Sequence, residues 1–222
     1  MFDFKGDSEY LEDMLSRMEI PIVDVRLRIT FFNQLVFDTP LLRNLIYRVQ
    51  MVGECRAEIS FSSCGVHFTL CSKFGRPEQV VELGISCRPS DWQLSSLAQV
   101  LGLSIRSFPY LKRLELREDH HQPHWQDDIE NAQWLEILRP FTSVKDLVLS
   151  GQLVQLVAPI LGELIGERAT EVLPALQDIF VPGFLPSGSL PWQKAIAQLI
   201  TARQISGLPV TVHDLVNTVG DT

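Results

Sequence analysis

An apolar-x-x-apolar-x-apolar signature recurs four times in this chain, and its spacing constrains the fold more than any other feature. The copies are Val80–Leu83–Ile85, Leu111–Leu114–Leu116, Val144–Leu147–Leu149 and Leu176–Ile179–Val181. Their first members stand at 80, 111, 144 and 176, so the intervals are 31, 33 and 32 residues. Another 32 residues reach Leu208, just before the β-branched run Val210-Thr211-Val212. A period in this range marks a repeat architecture, in which each unit is one supersecondary element that buries its apolar face only against its neighbours.

Between the strand signatures lie helical patterns with one apolar stripe each. Ser90 is a plausible N-cap for a helix with Leu94, Leu97, Ala98 and Leu101 on one side and Gly102 near its end. Leu153, Leu156, Val157, Ile160, Leu161 and Leu164 form a second stripe that stops at Gly166, and Pro159 within it predicts a kink or a late start. A third holds Trp192, Ala195, Ile196, Leu199 and Ile200, with Ser189 as cap, Pro191 near the first turn and Gly207 beyond the end. The helix between Asp128 and Pro140 is shorter and less regular.

Upstream the pattern loosens. Val23, Val25, Leu27 and Ile29 alternate with Asp24, Arg26 and Arg28, as in a strand with one polar face. Thr39 and Pro40 open a helix that buries Leu41, Leu42, Leu45, Ile46 and Val49. Cys55 to Cys71 reads as two strands joined by a tight turn near Ser63, Cys64 and Gly65. The first element, about Ser8 to Met18, is a helix with Leu11, Met14, Leu15 and Met18 on one side and neither a strand nor an obvious polar cap before it. A solenoid opening in mid-repeat exposes an apolar edge, so the expectation is a fragment that frays or aggregates at residues 1–20.

These elements predict an α/β fold, an irregular leucine-rich-repeat-like solenoid of the ribonuclease-inhibitor type, with parallel strands on the concave face and helices outside. The whole chain, 1–222, forms one domain: irregular units with a hairpin over 1–72, regular repeats of about 32 residues over 73–222. Strands near 23–29, 80–86, 111–117, 144–149 and 176–182 are expected side by side in that order. The alternative is an ordinary doubly wound α/β domain.

Several stretches carry a family likeness: ITFFNQLVFDTPLL, LPVTV, ARQISGLPV, and above all WLEILRPFTSVKDLVLSGQLVQLVAPILGELIGERATEVLPALQDIFVPG. They resemble the C-terminal region of fungal F-box-like proteins, a likeness that spans nearly the whole chain and is strongest from Trp134 to Pro209. The resemblance implies a leucine-rich-repeat-like region that selects protein targets. In that family an F-box ahead of the repeats docks onto a Skp-type adaptor of a cullin ubiquitin ligase. This chain has no F-box-like three-helix segment before its first repeat, so such an adaptor is implied only if an F-box is encoded upstream.

Composition narrows the partners. The net charge of -8 and the lack of a Lys/Arg cluster argue against a grip on phosphate backbones, so nucleic acid is not expected. The N-terminus MFDFKGDSEYLEDML has acidic residues where a signal peptide needs a basic patch and an apolar core. The longest uncharged apolar stretch, Leu147 to Gly162, is shorter than a membrane span. Cys55, Cys64, Cys71 and Cys87 lack metal-site spacing and read as reduced thiols of a cytoplasmic or nuclear protein.

Chemistry-bearing motifs are few. His120, His121 and His124, with Asp127 or Asp128, form the one metal-like cluster, but Pro123 breaks the helix that would align His120 with His124. A solvated loop is expected there. Cys64 and His67, if they share a strand, fall on its opposite faces, and His67 and Cys71 lie about 13 Å apart at strand rise, which argues against a nucleophile–base pair. Gly162, Gly166, Gly183 and Gly188 match helix ends and turns, with no phosphate-loop spacing. No catalytic residue, metal or cofactor is therefore assigned, and an enzyme of unknown type is the disfavoured alternative. The candidate binding residues are the polar positions of the repeat strands: Arg113, Glu115 and Arg117, then Asp146 and Ser150, then Asp178 and Phe180, with Phe180 as an exposed anchor. The expected function is a non-enzymatic protein-interaction module, either an F-box-protein target-binding region or the repeat region of another cytosolic receptor or scaffold.

Overall fold

A computed structural model describes residues 2–17, 27–32, 36–48, 54–72, 80–86, 90–104, 110–119, 125, 131–185 and 188–215. In chain order the elements are β1 (Phe2–Gly6), α1 (Ser8–Ser16), β2 (Leu27–Phe32), α2 (Pro40–Arg48), β3 (Cys55–Ser62), β4 (Gly65–Ser72) and β5 (Val80–Ser86). Then come α3 (Ser90–Ser104), β6 (Leu111–Glu118), α4 (Asn131–Leu138), β7 (Asp146–Leu149), α5 (Leu153–Gly162), a 3-10 turn (Gly166–Thr170), β8 (Asp178–Val181), α6 (Pro191–Ile205) and β9 (Thr211–Asp214).

The described strands form one sheet of nine in the order β1-β2-β5-β4-β3-β6-β7-β8-β9. The architecture is α/β and mostly parallel, since β4 alone runs against its neighbours, β3 and β5. From β6 onward, strand order follows chain order. Leu114 pairs with Leu147, Leu147 with Ile179, and Ile179 with Val212, so successive signatures stack into one apolar ladder. Val144 and Leu176 lead their signatures from turns, held by Val144 N–H to Phe141 O and Leu176 N–H to Leu173 O, which shortens β7 and β8 from the expected spans.

The expected neighbourhood of residues 80–86 and 111–117 is corrected. β5 and β6 are separated by the hairpin β4–β3, which enters the sheet as two full members. Its alternation supplies the reason: Ala57, Ile59, Phe61, Val66, Phe68 and Leu70 are all essentially inaccessible, and a peripheral hairpin would leave that face wet. β3 then pairs in parallel with β6, while β5 pairs with β2.

The start of the chain is corrected too. β1 precedes α1 and pairs in parallel with β2. Asp7 caps α1, its Oδ1 accepting Tyr10 N–H at 2.7 Å. Leu11 and Leu15 are buried in the common core rather than left at a bare edge. Residues 18 and 23–26, included in the expected first helix and strand, lie outside the described residues, as does Val49.

Other ends move by a residue or a turn. α5 begins at Leu153 without delay and continues through Pro159 to Gly162, and Gly166 (φ +60°) opens the 3-10 turn instead of closing the helix. α6 is capped at Leu190 rather than Ser189, with Gln193 Oε1 accepting Leu190 N–H. Gly102 stands near the end of α3, as expected.

Adjacent helices touch in chain order, α1 to α6. They cover the sheet face bearing Leu27, Ile29, Phe31, Leu83, Ile85, Leu114, Leu116, Leu147, Leu149, Ile179 and Val181, and these residues join one core. The opposite face carries no helix among the described residues.

Candidate protein-binding face

The bare face follows from strand alternation, which sends every second side chain away from the helices. The register places Arg28, Glu82, Thr69, Glu58, Glu115, Val148, Phe180 and His213 in one row across β2, β5, β4, β3, β6, β7, β8 and β9. An adjacent row holds Cys71, Arg56, Arg113, Asp146, Asp178 and Thr211. All of the expected binding residues on β6, β7 and β8 lie on this face, and Ser150 follows β7 directly.

They do not play equal parts. Glu115 is only 1% exposed although its strand position points to solvent, because three arginines close over it. Arg113 Nε donates to Oε1 at 2.8 Å, and Arg117 donates to Oε2 through Nε at 3.1 Å and through Nη2. Arg56 Nη1 stands 3.5 Å from Oε1, and Glu58 flanks both Arg56 and Arg117 at 3.8 Å. Burial pushes the Glu115 carboxyl up, but the hydrogen bonds from Arg117 and Arg113 and the charge of Arg56 outweigh it and hold the group below its usual value.

Phe180 is half-buried, which corrects the expected free anchor. Its ring stacks on His213 at 4.8 Å, and the Arg113 guanidinium lies 5.2 Å from its centroid. Arg113 thus reaches Phe180 across β7 from the neighbouring row. His213 Nε2 stands 2.7 Å from Asp178 Oδ1. Ser150 Oγ donates to Leu116 O at 3.3 Å, which ties the end of β7 to β6.

Arg56, Glu58, Val148 and His213 were missed as members of the site. Their alternation with buried Ala57, Ile59 and Leu147 and with partly buried Val212 is legible, but the strand neighbours that bring Arg56 to Glu115 are not.

Two further features bound the face. Gly84 opens a pit of about 260 Å³ lined by Arg28, Thr30, His67 and Glu82, with Arg28 Nε donating to Glu82 Oε2 at 2.5 Å. At the C-terminal end of β6, Glu118 accepts Trp125 Nε1–H at 2.6 Å and Gln152 N–H at 2.8 Å, fixing the turn that opens α5. A larger groove of about 900 Å³ lies on the helix side between α5 and α6, past Ile165, Lys194 and Ile205.

Cys64 sits in the β3–β4 turn beside Ser62, and Cys71 donates to Arg56 O at 3.6 Å. Among the described residues, no group of three or more His, Cys, Asp and Glu is placed to hold a metal ion. His120, His121, His124, Asp127 and Asp128 lie outside them, as does Cys87. No described helix is long and apolar enough to cross a membrane. No protein-family model, curated protein or solved structure matches the chain.

Proposed function

We propose that this chain is a non-enzymatic protein-binding module whose recognition surface is the bare face of its sheet. The observation that carries this reading is the one-sided cover of a mostly parallel sheet. Such sheets are ordinarily buried on both faces, and the exceptions are solenoids that offer the free face to partners. The chain is then an irregular leucine-rich-repeat-like solenoid, supported by the stacked 32-residue period from β6 to β9. Its sequence likeness to F-box-like proteins supports a role as the target-recognition region of a ubiquitin-ligase adaptor in the cytoplasm or nucleus. A Skp-type partner belongs to this reading only if an F-box is encoded ahead of the chain.

Affinity capture with the full-length gene product tests the proposal. Ser60→Glu and Thr211→Glu, both on the bare face, are expected to lose the captured proteins, while Gln198→Arg on the helix side keeps them. Retention by both face variants, with loss in Gln198→Arg, would overturn it.

A further inference from the structure

We infer that Arg56, Arg113 and Arg117 form the docking point for the carboxylates of an acidic, extended protein segment laid over the bare face. The inference rests on the reading of that face as a protein-binding surface and adds the chemistry of its partner.

Three observations carry it. First, the cluster is cationic toward solvent and anionic beneath. The arginine side chains are 45%, 37% and 47% exposed, whereas Glu115 is 1% and Glu58 29% exposed. A partner therefore meets guanidinium before carboxylate.

Second, the donors outnumber the acceptors within the cluster. Each guanidinium carries five N–H groups, roughly fifteen in all, against two carboxylates of about four lone-pair sites each. Asp146, in register beside Arg113, adds one more carboxylate without reversing that inequality. Planar forks of this kind pair bidentately with carboxylates.

Third, the cluster is built in advance. Glu115 fixes Arg113 and Arg117 from below, and Phe180 holds the Arg113 guanidinium from the side. Side chains already ordered lose little rotamer freedom on binding. Arg113 and Arg117 stand four residues apart on β6 with Glu115 midway. Two carboxylates at i and i+2 of an extended segment, roughly 7 Å apart, would land on either side of Glu115.

The test uses the whole chain and a short fluorescein-labelled peptide of alternating glutamate and serine, followed by fluorescence anisotropy. The expected result is saturable binding that weakens by about tenfold between roughly 50 and 300 mM salt. Arg56→Gln should weaken it about fivefold and Arg56→Lys by less, because Arg56 makes the longest contact with Glu115 and its loss leaves the Arg113 and Arg117 hydrogen bonds in place. Should Arg56→Gln melt early, the wild-type protein decides: peptide addition must shift the Nε–H resonances of Arg113 and Arg117.

Binding no tighter than that of an all-serine peptide, or unmoved arginine resonances, would overturn the inference. Tighter binding of a phosphoserine peptide or of single-stranded DNA than of the glutamate peptide would also overturn it. If the peptides fail while capture still depends on Ser60 and Thr211, the acidic chemistry is wrong and the face reading stands. Capture that depends on the helix side removes the face reading itself.

Discussion

Arg203 Nη2 donates to the carbonyl of Leu173 at 3.0 Å, and Leu173 is the one described non-glycine residue with a left-handed backbone, φ +49°. The same nitrogen donates to Val172 O at 3.0 Å, and Nη1 donates to Pro174 O at 3.4 Å. The guanidinium on α6 thus satisfies the carbonyls of a buried turn that leads into β8, and burial lowers its own pKa. Arg203→Met keeps much of the stem and removes the donors. We expect a loss of about 2–4 kcal/mol in urea denaturation; an unchanged midpoint would show that the turn holds itself.

Glu115 has the same standing on the bare face. Glu115→Gln leaves three guanidiniums around a neutral amide, and a loss of about 2–4 kcal/mol at neutral pH is expected. The wild-type carboxyl is held low in the folded state, so its contribution is complete above the unfolded carboxyl range, about pH 4.3, and is lost as pH falls through the folded value. The stability gap between wild type and variant should therefore narrow on acidification. Parallel urea curves at neutral pH and about pH 3 check this, and a gap that widens in acid contradicts it.

Two helix glycines make a contrasting pair. A Cβ on Gly162, the last residue of α5, would meet Ala195 O at 2.8 Å and Ala195 Cα at 2.9 Å, so α5 and α6 must separate to admit it. Gly162→Ala should cost about 1–3 kcal/mol. Gly102 lies in α3 with nothing within 4 Å of its Cβ position, and Gly102→Ala should add about 0.5–1 kcal/mol. Thermal melts of the two variants should move in opposite directions.

The described cysteines differ in accessibility. Cys55 is 2% exposed, and burial, aided by Cys71, pushes its thiol up to about 11. Cys64 is exposed in the hairpin turn, and Cys71 is intermediate. Iodoacetamide should label Cys64 first and Cys71 next, and should reach Cys55 only on unfolding. Mass spectrometry showing early labelling of Cys55 in the native protein would contradict the inward face assigned to it.

The β6–β9 half was legible because it is local in the relevant sense. Each parallel neighbour is the next copy of the signature, so the 32-residue period that defines a strand also names its partner. The N-terminal half lacks that redundancy. Alternation in Cys55–Ser62 and Gly65–Ser72 identifies which side chains face the core, but several pairings would bury Ile59 and Phe68 equally well. The expected order consequently passed from residues 80–86 directly to 111–117, and the two hairpin strands expected over Cys55 to Cys71 were not placed between them. The short strand Phe2–Gly6 was missed for a related reason, since its five residues show too little alternation to stand out before it pairs with β2.

By itself the sequence determined which residues alternate inward, where the helices lie between strands, and that Arg113, Glu115, Asp146, Asp178 and Phe180 share one face. These follow from periods of two and about 3.6, properties of the backbone within a single element. Only the tertiary structure decided that β3 lies beside β6. That contact brings Arg56 to Glu115, closes a third guanidinium over a carboxylate that alternation alone would leave wet, and makes one buried acid the base of an arginine surface. Which distant strands become neighbours is set by how the whole apolar face is covered at once, and no local period encodes it.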